Sequence, residues 1–504
     1  MTNLFKPTSY RSGTVMGVGA TAAWKLLSFA NSLMLAAYFG ACNETDLYFF
    51  LIIVMGVGVF FLYRLNTAVL IPQAMALDAQ SPLGGRNLLN GFLYLYIGLA
   101  GLSVLVGILI PVPLMQVFSR FDSSFLILQR SIITWGYVLF GLQVLTSYLI
   151  SVLEMYKRFT AALLTPLNAA LPLLFLIIGG KQYGIISMMY GFVIANLLQI
   201  IILGRVMKKE LGWKLTRGEI FHSREFCKNL ISNQLIEAAT LINGMLPVYL
   251  LSGFSTGIVS ALNYAKQLSD SASEVFIARI TNIAKIELTE HTTHEQTATF
   301  NRAFLRAHYG LAFLLTPLVV FSIFFAPDIV TIFFKRGAFT QLDVRQTVCF
   351  LRPLLITLLL TVPVLMQNNV VAAKRKLKEF MPYALASTGL CIVLTPFTLF
   401  YFGPFSLPYL LAGCTLVGLA INAVFFKRIL PFDTFKPALL EMIHLLVLNM
   451  MAILPAVFYR WFLSGNNAWQ ALAIEGILFV GMLAGISYYS GDLKRFLDTA
   501  HQSA

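Results

Sequence analysis

VMGVGATAAWKLLSFANSLMLAAYFG (residues 15–40), ACNETD (41–46) and LYFFLIIVMGVGVFFLYRLNTAVLIP (47–72) follow one another without a break. The first and last are apolar over more than the ~20 residues a helix needs to cross a bilayer. The acidic piece between them is only long enough for a turn. Each apolar piece carries one cation that lipid would reject, Lys25 in the first and Arg64 in the second. A cation at mid-bilayer costs roughly 2.5–3.5 kcal/mol on insertion scales, so such residues face a bundle interior or a wet cavity. The pair of segments therefore predicts one wall of a polar cavity inside a membrane protein.

The rest of the chain agrees. Of 504 residues, 58% are hydrophobic and 12% charged, against about 25% charged in soluble domains. Fourteen apolar stretches predict an all-α polytopic membrane protein with 14 transmembrane helices. After the first two they are Leu88–Met115, Ser131–Glu154, Ala161–Gly180, Ile185–Val206, Leu230–Leu251 and Ile258–Ile280. Phe304–Ala326, Val344–Ala372, Met381–Tyr401, Ser406–Phe426, Ala438–Tyr459 and Trp469–Tyr489 complete the set. With the N-terminus inside, most Lys and Arg fall on cytoplasmic connections: Lys157-Arg158, the run from Arg205 to Lys228, Lys374-Arg375-Lys376, Lys427-Arg428 and Lys494-Arg495. The positive-inside rule then places both termini in the cytoplasm. The same asymmetry explains the net charge of +14 without a nucleic-acid partner.

EMYKRFTAALLTP after the fourth stretch has a counterpart in VVAAKRKLKEFMP after the tenth. AYFGACNETDLYFF has one in LLSGFSTGIVSALNY. Both comparisons give an offset of about 215 residues, the mark of two like-oriented repeats with a site between them. The expected organisation is an N-lobe over 1–206 (spans one to six), a cytoplasmic linker over 207–229 and a C-lobe over 230–428 (spans seven to twelve). Spans thirteen and fourteen and a short tail fill 429–504. The two six-helix lobes would be pseudo-symmetric, with the last two helices extra.

Polar groups inside the apolar stretches mark the candidate site. Lys266, Asp270 and Glu274 are spaced i, i+4, i+8 and share one face of span eight. Arg352 lies in span ten, Glu237 in span seven and Asn31 beside Lys25 in span one; Asp46 stands at the outer mouth. Separated cations suit a polyanion such as a pyrophosphate. Lys25, Arg64, Lys266, Arg352 and Asn31 are the candidate cargo-binding set. Asp46, Glu237, Asp270 and Glu274 are candidate counter-charges or ligands for a coupling ion. A structural ion-pair network, snorkelling of Arg64 and Arg352 to the interface, and asparagines acting as interhelical glue remain open alternatives. Glu475 lies outside both repeats and reads as structural. Five separated cysteines predict neither a disulfide framework nor a metal site, and no P-loop or nucleophile elbow is present. The expectation is a non-enzyme with no cofactor, driven by a Na+ or H+ gradient, the membrane potential or the cargo's own gradient.

Three segments carry a family resemblance: YFGACNETDLYFF, YKRFTAALLTPLNAAL and APDIVTIFFKRGAFTQLDV, the last with a Phe-x-Arg-Gly-x-Phe core. Over almost its whole length the chain resembles the MurJ/MviN family of lipid II flippases, within the superfamily of multidrug, oligosaccharidyl-lipid and polysaccharide exporters. The resemblance implies a two-lobed cavity with cations for the pyrophosphate and a groove by spans thirteen and fourteen for the polyprenyl tail. By that resemblance Lys25 falls where the family has a span-one arginine, and Asn31 where it has a second. Asp46 matches the family aspartate, and Arg64 stands about a turn beyond the span-two arginine. Lys266-Gln267 replaces an Asp-Arg pair, and Asp270 matches the acid that follows. The implied function is flipping of an undecaprenyl-pyrophosphate-linked glycan, lipid II first, by a monomer in the bacterial cytoplasmic membrane. Its partners would be that lipid, membrane lipids and cell-wall synthesis proteins. An O-antigen or exopolysaccharide repeat unit is the alternative cargo; a drug/cation antiporter and a non-transporting scaffold are further readings.

Overall fold

The computed structural model of the chain describes residues 10–81, 84–216, 218, 224–293, 297–427, 432–462 and 468–501. Helices account for nearly all of them, and no strand forms among the described residues. The opening stretch becomes α1 (Tyr10–Phe39) and α2 (Asn43–Leu65). α2 continues through a π-helical turn, Asn66–Leu70, into α3 (Ile71–Gln80). There follow α4 (Gly84–Leu109), the short α5 (Pro111–Phe118) and α6 (Ser123–Leu128), α7 (Arg130–Met155), α8 (Leu167–Tyr183) and α9 (Ile186–Glu210). Next come α10 (Arg224–Leu251), α11 (Ile258–Thr293), α12 (Thr297–Phe324), α13 (Ala326–Phe334), α14 (Gln341–Ala373), α15 (Leu377–Phe402) and α16 (Leu407–Phe426). The last four are α17 (Phe432–Ala452), α18 (Leu454–Phe462), α19 (Ala468–Tyr489) and α20 (Asp492–His501).

Eleven of the described helical stretches are long and apolar enough to cross a bilayer. Three segments expected to span fall short of that mark: α1, α11 and α10, of which the apolar part described is Glu237–Leu251. All three are helical, over 30, 36 and 28 residues. Residues of the candidate site lie in all three: Lys25 and Asn31 in α1, Glu237 in α10, Lys266 and Asp270 in α11.

The chain divides into two compact units, Met1–Ser260 and Ala261–Ala504. In the first, Tyr96 of α4 stacks on Tyr148 of α7 with ring centroids 4.8 Å apart. Each hydroxyl finds a buried acceptor: Tyr96 donates to Asn66 Oδ1 at 2.7 Å, and Tyr148 to the Leu89 carbonyl at 2.5 Å. Lipid supplies no hydrophobic drive between helices, so close backbone approach carries much of the packing. A Cβ on Gly141 of α7 would stand 2.8 Å from the Ala100 carbonyl oxygen of α4. The second unit is centred on Phe304, Tyr309 and Leu315 of α12, Val362 and Met366 of α14, and Phe426 of α16.

The repeat offset has a backbone signature. Gly40 and Gly257 both have positive φ (66° and 86°) and lie 217 residues apart; Gly184 and Gly403 (68° and 76°) lie 219 apart. Among the described residues, the non-glycine positions with positive φ are Lys157 (59°) and Arg375 (55°), 218 apart, inside the two matching Lys/Arg-rich segments. A left-handed turn costs a non-glycine residue about 1 kcal/mol or more, so its recurrence at one offset marks the same helix-to-helix corner built twice.

Candidate functional site

The predicted cations take different positions. Lys25 is half-buried on α1, its Nζ 5.1 Å from the centroid of the Trp24 ring. Arg64 is exposed on α2, its guanidinium 5.0 Å from the Phe60 ring and two residues before the π-helical turn. Such turns re-aim the residues beside them and are frequent at functional sites; here Asn66, fully buried, pins the turn to Tyr96. Lys266 is exposed on α11, and Asp270 is exposed one turn further on. Among the described residues neither Arg64 nor Lys266 makes an ion pair. Arg352 is exposed on α14 and donates from Nε to the Ile323 carbonyl at 3.1 Å, which ties it to the end of α12. Asn31 is buried: its amide donates to the Ala169 carbonyl of α8 at 2.7 Å, so it joins α1 to α8.

The acids divide more sharply. Glu237 is half-buried on α10, which packs on α2. The Glu274 side chain lies outside the described residues. Asp46, 3% exposed, is a helix cap. Its Oδ2 accepts from the Gly257 N–H at 2.6 Å and its Oδ1 from the Ser260 N–H at 2.7 Å. Ser260 Oγ lies 2.6 Å from Oδ1 and 2.9 Å from Thr45 Oγ1. The carboxylate thus meets the free N–H groups and positive dipole end at the start of α11. The two corners matched by sequence touch here, through Asp46 and Gly257.

Three charged clusters escaped the sequence reading in whole or part. Glu475 is fully buried in α19, where Oε1 accepts from Arg460 Nη1 of α18 at 3.2 Å. Arg460 Nη2 lies 2.6 Å from Asp328 Oδ1 of α13. Arg460 and Asp328 sit at the ends of apolar stretches and look interfacial in sequence; the only signal was the lone acid in α19, which demands a counter-charge. Arg158, in the EMYKRF segment, is 7% exposed and pairs with Glu210 at 3.3 Å, closing α7 onto α9. Beyond α19, Asp492 opens α20 and accepts from Ser490 Oγ (2.6 Å) and Tyr309 Oη (3.0 Å), with His444 Nε2 at 3.1 Å. Burial alone would raise the Asp492 carboxyl. The hydrogen bonds from Ser490, His444 and Tyr309 outweigh it and hold the group below the usual carboxylate range.

The Phe-x-Arg-Gly-x-Phe core is a corner as well. Gly337 turns the chain with φ 56°, and Phe334 and Phe339 pack on Tyr264 with centroids 5.0 and 5.5 Å away. Thr340 and Asp343 then form a capping box that starts α14: the Thr340 N–H donates to Asp343 Oδ2 at 2.7 Å and the Asp343 N–H to Thr340 Oγ1 at 3.3 Å. The profile of the family described as lipid II flippase MurJ matches residues 35–478, taking in every one of these corners. The chain belongs to the MurJ lipid II flippase family. It is a multi-pass protein of the bacterial inner membrane, as that family is.

Individual relatives are distant. A protein described as a probable lipid II flippase MurJ from Bdellovibrio bacteriovorus is 25% identical over 344 residues, which cover 65% of this chain and 64% of that relative's length. A solved structure of the lipid II flippase MurJ in an inward closed conformation superposes with a TM-score of 0.76 at 19% identity, covering 95% of this chain and 99% of the other. An inward-facing multidrug resistance MATE family transporter of the MOP superfamily gives a TM-score of 0.63 at 13% identity, over 80% of this chain and 94% of its own. At these identities the structures speak for the MurJ fold alone.

Proposed function

We propose that the protein flips an undecaprenyl-pyrophosphate-linked glycan, lipid II first, across the cytoplasmic membrane by alternating access, with both termini inside. Membership of the MurJ family supports a lipid-linked precursor as cargo. The observation that carries the reading is the separation of roles among the charges. Asp46, Arg158 and Arg460 are engaged in packing, whereas Arg64 and Lys266 make no ion pair among the described residues. These two, with Lys25, contact the pyrophosphate during the cycle through charge-assisted hydrogen bonds; Arg352 steers it nearby. The prenyl tail stays in lipid. No bond is made or broken, so the work comes from a Na+ or H+ gradient, the membrane potential or the cargo gradient.

Proteoliposomes loaded with fluorescent lipid II test this. Arg64→Ala and Lys266→Ala should each slow flipping about tenfold, the value of one charge-assisted contact, with unchanged thermal midpoints. Flipping by both variants at the parent rate, or none by the parent, overturns the reading. A second cargo is favoured by one observation: Asn31, where the family resemblance implies arginine, is held in α1–α8 packing. A related lipid-linked O-antigen unit, run in the same vesicles, tests that alternative.

A further inference from the structure

The cluster around Arg460 does not balance. Glu475 is the only Asp, Glu, Lys or Arg in α19 and is 0% exposed. It lies about 10 Å along the helix from its start. Among the described residues, its Oε1 has one donor, Arg460 Nη1 at 3.2 Å, and its buried Oε2 has no hydrogen-bond partner. The same guanidinium also serves Asp328 at the shorter distance of 2.6 Å. One positive charge therefore faces two carboxylates.

Among the described residues, the cation that reaches Glu475 is Arg460. α13 contributes Asp328 and α18 contributes Arg460, and these are the charged groups that act on Glu475. Glu441 of α17 pairs with Arg495 of α20 and His444 of α17 with Asp492 of α20, and no charged group of either helix is among those that act on Glu475. From α12 it is Phe321 that lies beside Gly476, the next residue on α19. With both acids ionised, the cluster holds a net negative charge in a dry interior, the situation in which a carboxyl takes up a proton. The cluster opens outward at Arg460, whose side chain is 34% exposed, with Asp328 at 11% and Glu475 at 0%.

We infer that Glu475 is a proton-binding site of the second unit, whose occupancy switches the Asp328–Arg460–Glu475 cluster between neutral and singly negative. The proton comes from water at the Arg460 edge, adds to a Glu475 carboxylate oxygen, and returns by the same edge; no other bond changes. In a bilayer, a switch of net charge on a membrane-spanning helix alters the cost of moving that helix. If the protein is the flippase proposed above, H+ is then its coupled ion.

The test is infrared difference spectroscopy of the full chain in nanodiscs, titrated in sodium-free buffer between about pH 5 and about pH 9. A carboxylic-acid C=O band that titrates in this range and is lost in Glu475→Gln is the expected result. Asp328→Asn gives a second reading if Glu475→Gln does not fold. With one acid gone, Arg460 serves Glu475 alone, and the band should appear only at a pH at least about one unit lower. No titrating band, a band unmoved by Asp328→Asn, or a signal that follows Na+ rather than pH overturns the proposal. Lipid II flipping, assayed separately on the same protein, keeps the two readings apart: a protein that flips without the band loses only the proton site. One that shows the band without flipping keeps the proton site and loses only the transport reading.

Discussion

Asp46 in the first unit and Glu475 in the second are both acids buried in a membrane protein, at 3% and 0% exposure. Their surroundings differ in kind. Both oxygens of Asp46 are met by backbone N–H groups, those of Gly257 and Ser260, at 2.6 and 2.7 Å. Glu475 has a guanidinium, shares it, and leaves one oxygen without a donor. Peptide dipoles aimed at an anion fix its charge; one cation divided between two acids does not. The comparison separates an acid that builds the fold from an acid able to change state.

Removing Asp46 should break this comparison most severely. Asp46→Ala strands two buried N–H groups and undoes the start of α11, for a loss of about 3 kcal/mol. The check is the unfolding midpoint in detergent, and Asp46→Asn, which keeps one acceptor, should lose about half as much. An Asp46→Ala protein as stable as the parent would mean the cap is incidental. Arg460→Met comes next. It leaves Asp328 and Glu475 facing each other, and because Arg460 is a third exposed the expected loss is about 2 kcal/mol, below that of a fully buried pair. Asp328→Asn on that background should restore part of it; an additive double variant would show that the three groups are not one cluster.

The smallest effect concerns Asp492, an acid at the wet end of the second unit held by side-chain donors, intermediate between the other two. Its carboxyl is depressed in the fold, so its contribution is present above the ordinary carboxylate range. It is lost as pH falls below about 4. Asp492→Asn should lower stability near neutrality and flatten its fall on the acid side, where variant and parent converge. A parent whose stability does not fall on that acid limb would remove this third member of the comparison.

Much of the fold was legible because the signals are local. Apolar runs marked the helices, and the matching EMYKRF and AAKRKL segments marked a corner that recurs with the same left-handed turn at Lys157 and Arg375. Lys25 and Arg64 announced themselves as cations in apolar sequence, and Arg64 proves to stand beside a π-helical turn that no pattern of side chains revealed. Asn31 looked like a ligand, and its amide is bonded across to α8. Arg460 was invisible because it sits where an apolar stretch ends, the usual place for an arginine that snorkels to the interface.

The amino-acid sequence by itself determined that this chain is a helical membrane protein. Hydropathy and the insertion cost of a charge act residue by residue, and they do not depend on what folds against what. Only the tertiary structure decided which charges are neutralised. Asp46 meets donors 211 and 214 residues away, and Arg460 meets Asp328 across 132. The cost of a buried charge is set by the few ångströms around it, and those neighbours are assembled by packing, not by order along the chain.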